Sequence, residues 1–221
     1  MPSLLDFPGL RTTTPRFRAL LVELTRERGL DPDKVSAIIS LESGYRANVQ
    51  NAQGALALGL IQFIKKYFPP IAAAAKMQVT WDDLRTLTAE EQIPLVLAFF
   101  RLVGLTSESS VTDYAVGTFL PTQIGKPLST VIARKDSHEY LPGTKLFLGT
   151  VYAWNSNLDT DQDGEITIRD LHDRVSTLFW DARRKPPILV SGDTSETPGK
   201  WGLAPLALGL TGFGAWMLLR R

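Results

Sequence analysis

The sequence predicts a nearly all-α domain over residues 1–182, a polar tether at 183–200 and a membrane-spanning helix at 201–219. Three observations lead there. Apolar residues recur at helical spacing through most of the chain, while strand-like alternation is scarce. Helix-start and helix-stop residues bracket these runs, as with Thr14-Pro15, Asp31-Pro32 and the Thr88/Glu91 pair. Finally, the 19 residues from Trp201 to Leu219 carry no charge and are closed by Arg220 and Arg221, a length that just crosses a hydrocarbon layer of roughly 30 Å.

Taken in order, the first helix spans residues 14–29, with Thr14 as cap, Pro15 in its first turn and Gly29 at its stop. Asp31 and Pro32 open the second, in which Val35, Ile38, Ile39 and Glu42 fall at i, i+3, i+4 and i+7. Residues 45–57 are polar and turn-prone, a loop that brings the GLIQF segment (59–63) alongside the end of helix two. The Thr88/Glu91 capping box opens the apolar run IPLVLAFFRLV, which Gly104 stops and in which Pro94 shifts the start or kinks the axis. Further helices are expected from about Thr112 to Leu120, ending before Pro121, and from Thr144 to about Trp154, with a loop-rich stretch at 121–143 between them. RRKPPILVSGDTSETPGK (183–200) has the composition of a tether.

Composition excludes several classes of function. Lys and Arg number 24 against 23 Asp and Glu, with Lys200, Arg220 and Arg221 all at the C-terminal end, so no basic patch points to nucleic acid. The absence of cysteine removes disulfides and thiolate metal sites. MPSLLDFPGLRTTTPRF has no cationic region followed by an apolar core, so no cleavable signal peptide is expected. At the other end Trp201 and Trp216 sit where interfacial anchors often sit, and the expectation is a single-pass membrane protein in contact with the lipid bilayer. A Gly-rich core helix, or one packed on a partner's membrane spans, is the competing explanation of that segment.

Residues 159–170 read DTDQDGEITIRD and match an EF-hand calcium loop. Asp159, Asp161 and Asp163 occupy positions 1, 3 and 5, Gly164 position 6, Glu165 position 7 with its backbone carbonyl, and Asp170 position 12. Ca²⁺ takes six to eight oxygens, and this spacing supplies them; Asp at position 12 is shorter than the usual bidentate Glu, which lets Mg²⁺ compete. The alternative is an acidic Asx-turn in which Thr167 and Asp170 merely cap the next helix. A bound ion would have a structural role, joining the helical segment FLGTVYAWNSNL to LHDRVSTLFW.

Glu42 is the candidate catalytic residue. A carboxylate that continues an apolar stripe, near the negative end of a helix dipole, holds its proton to unusually high pH, as a general acid must. Neutralisation by the nearby Arg46 is the competing account. ESGY followed by QGALALGLIQF resembles the soluble lytic transglycosylase family, lysozyme-like enzymes that cleave the glycan of bacterial peptidoglycan; Glu42, Ser43, Gly59, Leu60, Ile61 and Gln62 match its first two motifs. The likeness covers about residues 30–180 and, with the calcium loop and LPTQIGKP, is nearest to transglycosylase-like domains of phage and prophage particles.

The resemblance implies a lysozyme-like helical fold, peptidoglycan strands as substrate and Glu42 as both acid and base, with the sugar's 6-hydroxyl closing a 1,6-anhydro ring and its 2-acetamido group assisting. It further implies that Ser43 hydrogen-bonds near Glu42 and that Gln62 holds substrate, although a helix-end hydroxyl and a core amide explain these two equally well. The family's third motif, AYNAG, is absent as such; Tyr114 in DYAVGTFLPTQIGKP is the candidate for its aromatic residue, against a plain core role. With the C-terminal span, the expected setting is local wall opening near a membrane, extracytoplasmic or within a membrane-containing phage particle among other virion membrane proteins. The second hypothesis is a lysozyme-like structural or glycan-binding protein without turnover, and a third is a hydrolysing lysozyme.

Overall fold

The computed structural model describes residues 2–51, 57–142 and 144–190. In chain order the elements are β1 (Ser3–Leu4), α1 (Pro15–Glu27), α2 (Pro32–Ser43), β2 (Gln50–Asn51), β3 (Ala57–Leu58), β4 (Phe63–Ile64), α3 (Phe68–Ala74), α4 (Ala89–Leu102), α5 (Val111–Phe119), β5 (Val131–Arg134), α6 (Leu148–Asn155), β6 (Glu165–Thr167), α7 (Ile168–Arg183) and β7 (Ile188–Leu189). Local chemistry sets the helix starts. Thr14 accepts a hydrogen bond from the Phe17 amide, Asp31 accepts from Asp33 and Lys34, and reciprocal capping boxes open α4 at Thr88/Glu91, α5 at Ser110/Asp113 and α7 at Thr167/Asp170. Pro94 lies inside α4 without ending it.

The all-α expectation is corrected: the helices are joined by three small antiparallel sheets, β1–β7, β2–β3–β4 and β5–β6. Each strand is two to four residues long, too short for a period-two pattern to register. The first sheet also moves the domain boundary. Ser3 pairs with Leu189 and Leu4 with Ile188, so part of the stretch assigned to a tether at 183–200 closes the domain against its own N-terminus.

The single-pass membrane localisation is corrected as well. Among the described residues no helix is long and apolar enough to cross a membrane. The segment 201–219, on which that expectation rested, lies outside the described residues, as does 191–200 of the tether.

Two hydrophobic cores meet along α5. The larger joins α1, α2, α3 and α4 and takes in Tyr114; the smaller gathers Val116, Leu120, Ile132, Leu148, Val151, Ile166 and Leu171 around β5, β6 and α6. Ala115 packs against both, which places the seam between them beside the C-terminal half of α2.

Candidate active site

Val35, Ile38 and Ile39 are all buried, and they carry the stripe of α2 into the core up to Glu42, one residue before the helix ends. Glu42 itself is half-buried and opens on a cavity of about 320 Å³ at the seam of the two cores. Burial pushes its carboxyl up from 4.5 to about 7, against the opposing attraction of Arg174. Among the described residues the carboxylate has neither a hydrogen bond nor an ion pair. Arg46, the neutralising partner considered from sequence, is exposed and donates instead to the Ser43 carbonyl at 3.0 Å.

The cavity wall comes from four helices and a turn. Ile38, Leu41 and Glu42 belong to α2, Ala115 and Phe119 to α5, and Leu171 and Arg174 to α7; Trp154 and Asn155 end α6, with Asn157 and Leu158 just beyond. Among the described residues Glu42 is the only acidic one in this lining. Four carboxylates that could have served as a second acid are engaged elsewhere: Asp82 pairs with Lys65 at 3.0 Å, Asp83 accepts from Thr80 at 2.7 Å, Glu90 accepts from Thr14, and Asp113 caps α5. A second, mainly apolar cavity of about 290 Å³ shares Phe119 and Trp154 with the first and is lined further by Gln62, Tyr67, Phe99 and Leu146. The two cavities meet at Phe119 and Trp154, and this adjoining pair, the furrow, has the acid on one side and Gln62 on the other.

Ser43 stands beside the acid but does not reach the furrow. It is buried, and its hydroxyl donates to the Leu60 carbonyl at 2.8 Å and the Ile39 carbonyl at 3.2 Å. Gln62 donates through Nε2 to the carbonyls of Val49 and Gly59, both at 3.0 Å, which fixes the turn of the GLIQF segment. Gly59 is required there: at φ 90° a Cβ would come within 2.6 Å of Gln92 Oε1. Gln92, fully buried in α4, accepts from the Leu60 amide at 3.0 Å and donates to Ala47, Leu84 and Leu87. This organising amide was not singled out from sequence, though a Gln inside the apolar run of α4 was the available signal.

Tyr114 lies in the larger core and not on the furrow. Its hydroxyl donates to the Thr106 carbonyl at 3.0 Å and accepts from the Asp31 amide at 3.3 Å, and its ring packs against Phe100. It therefore joins α5 to the opposite end of α2 from Glu42; burial raises its hydroxyl to about 12. The aromatic residues that do face the site are Phe119 and Trp154, the latter half-open to solvent at 51 % exposure. The signal of Trp154 was present in residue order. Ala153, Trp154, Asn155 and Ser156 read small, aromatic, Asn, small, the order of the AYNAG motif sought around Tyr114. Arg174 was missed because nothing local marks it; it reaches the cavity only once α7 has packed beside α2.

The acidic loop divides into ligands and supports. One oxygen from each of Asp159, Asp161 and Asp163 lies within 4.8 Å of the others. Glu165 turns its side chain to Arg134 at 2.7 Å, while Asp170 accepts from Thr160 through one oxygen and from Thr167 through the other. The structure thus does not bring these two carboxylates into the cluster, and Asp170 serves the helix cap. Asp159 is buried; its Oδ2 accepts from Tyr152 at 2.7 Å and from the Gly164 amide at 3.0 Å, and its Oδ1 has no hydrogen-bond partner among the described residues. The Tyr152 hydrogen bond leads the effects that hold its carboxyl below the usual range. An all-oxygen set with one orphaned buried carboxylate oxygen fits a hard divalent cation. Compared with known protein families, curated proteins and solved structures, the chain matches none.

Proposed function

We propose that this protein cleaves peptidoglycan glycan strands as a lytic transglycosylase, with Glu42 as its single acid and base. The observation that carries this reading is a carboxyl whose pKa burial raises to about 7, with neither a hydrogen-bond partner nor a second acid in its cavity among the described residues. Conventional glycosidases need two carboxylates flanking the bond. A lone acid suits chemistry in which the substrate supplies the rest.

Protonated Glu42 gives its proton to the glycosidic oxygen as the C1–O bond breaks. The 2-acetamido group of the same sugar bears the developing positive charge at C1. The Glu42 carboxylate then takes the proton of the 6-hydroxyl, O6 bonds to C1, and the acid is restored with no water consumed. Trp154 and Phe119, shared by both cavities, suit the apolar faces of a sugar chain, while Asn155 and Asn157 offer amides, and Gln62 its side-chain carbonyl, to the hydroxyl and acetamido groups.

The test compares wild type with Glu42→Gln on purified peptidoglycan, by turbidity and by mass spectrometry of released fragments. Wild type is expected to clear the suspension and release products lighter by one water than hydrolytic ones, with activity lower by roughly 10²–10⁴-fold in the variant. Equal clearing by both proteins would overturn the assignment of Glu42. No clearing by either would favour a glycan-binding protein, and products of hydrolytic mass would favour a lysozyme.

A further inference from the structure

We propose that a hard divalent cation held by Asp159, Asp161 and Asp163 fixes the wall of the Glu42 cavity, so that its occupancy regulates cleavage. The effect on turnover rests on the assignment of Glu42 above, whereas the cation site and its hold on the wall do not. Three observations converge. Opposite oxygens around Ca²⁺ stand about 4.8 Å apart, twice a metal–oxygen distance of roughly 2.4 Å, and the three carboxylate oxygens lie within 4.8 Å of one another. The buried Oδ1 of Asp159 has no partner, a costly arrangement that a cation would relieve. The third observation is the place of the loop in the chain. Trp154, Asn155, Asn157 and Leu158 lead directly into Asp159, and Leu171 and Arg174 follow directly after Asp170.

The loop is therefore a clip between the two segments that face α2 and α5 across the cavity. Asp159 joins its start to α6 through Tyr152, and Asp170 joins its end to α7 while accepting from Thr160 inside the loop. β6 and the adjoining Gly164 hold it from outside through Ala133, paired with Ile166, and through the Lys135 amide, which donates to the Gly164 carbonyl at 2.8 Å. With no cation, three carboxylates repel at the centre of this clip and strain the Thr160–Asp170 hydrogen bonds that tie the α6 end to α7. A bound cation reverses that repulsion and draws Trp154 and Arg174 to their places beside Glu42. Oxygen ligands and an acidic loop favour Ca²⁺; Mg²⁺ demands a stricter octahedron.

The test uses the full-length chain, stripped with chelator and titrated separately with CaCl₂ and MgCl₂. Trp154 emission, isolated by subtracting the signal of Trp154→Phe, reports the cavity wall, and thermal melting reports stability. Saturable change in both, at micromolar to millimolar cation, is expected, with at least a tenfold weaker response in Asp161→Asn, an exposed position off the cavity. Silence of both signals at millimolar cation, or an unaltered response in Asp161→Asn, would overturn the site. A melting shift without any change in Trp154 emission would overturn the hold on the wall. Peptidoglycan clearing that is indifferent to chelator, while emission responds, would overturn the regulation alone; emission that responds in a protein with no clearing activity supports the cation site and counts against the enzymatic assignment instead.

Discussion

The Ser43 hydroxyl donates a 2.8 Å hydrogen bond to the carbonyl of Leu60, joining the residue next to Glu42 to the segment that carries Gln62. Leu60 is held on its other side too, because its amide donates to Gln92 Oε1 at 3.0 Å. Two helices far apart in sequence, α2 and α4, thus grip one residue through both its backbone polar groups. Leu60 thereby ties the helix of the acid to the segment that lines the second cavity. Ser43 and Gln92 act on the site as positioning residues, since neither lines either cavity.

Removing either grip should destabilise the protein. Ser43→Ala leaves the Leu60 carbonyl short of a partner, for a loss of about 1–2 kcal/mol; Gln92→Leu strands an amide and three carbonyls in the core, for about 2–4 kcal/mol. At roughly 2–4 °C per kcal/mol, calorimetry resolves both. A Gln92→Leu protein that melts with wild type would show that the clamp contributes nothing.

The raised Glu42 carboxyl gives stability a defined dependence on pH. Its value is 4.5 in the unfolded chain and about 7 in the fold, so the native state binds the proton more tightly throughout that interval. The resulting stabilisation is complete below pH 4.5 and is lost as pH rises through 7. Glu42→Gln has no charge to bury. It should match wild type near pH 4 and exceed it at pH 8 by on the order of 3 kcal/mol. Urea denaturation at the two pH values tests this, and a constant difference between the proteins would mean that the carboxyl is not desolvated.

If Glu42 is the acid of the proposed cleavage, Arg174 should set where activity is lost with rising pH. Its guanidinium lowers the Glu42 pKa against the effect of burial, so Arg174→Gln should move the descending limb of kcat/KM to higher pH while Arg174→Lys retains it. The pH–rate profile is the readout that a purely structural role would leave in place. A limb that stays put in Arg174→Gln would mean that the arginine does not govern the acid.

What could be read from the sequence was what neighbouring residues decide. The stripe from Val35 to Glu42, the caps at Thr14, Asp31 and Thr88, and the spacing of Asp159, Asp161 and Asp163 all depend on separations of a few residues. Contacts between distant segments were not legible. β1 and β7 are two residues each and gain meaning only by pairing across the length of the domain, and Arg174 is unremarkable until α7 is laid against α2. The start of α6 shows the same limit: helical spacing suggested Thr144, but the bridge between Tyr140 and Phe147 holds the chain extended, and the helix opens at Leu148. Tyr114 was misleading for a related reason, because an aromatic residue in a helix carries no mark of which neighbour its ring will meet.

The contrast between Tyr114 and Trp154 can be measured directly. Tyr114→Phe removes the hydroxyl that joins the Thr106 carbonyl to the Asp31 amide, at an expected loss of about 1–2 kcal/mol, and should leave kcat/KM unchanged because the ring stays in the core. Trp154→Ala should do the reverse. The side chain is 51 % exposed, so stability changes little, but both parts of the furrow lose a shared wall and kcat/KM should fall roughly ten- to a hundredfold. Kinetics on soluble glycan fragments, paired with melting curves for each variant, separates the two effects. A kinetic defect in Tyr114→Phe without loss of stability would return the tyrosine to the site, and full activity in Trp154→Ala would remove the tryptophan from it.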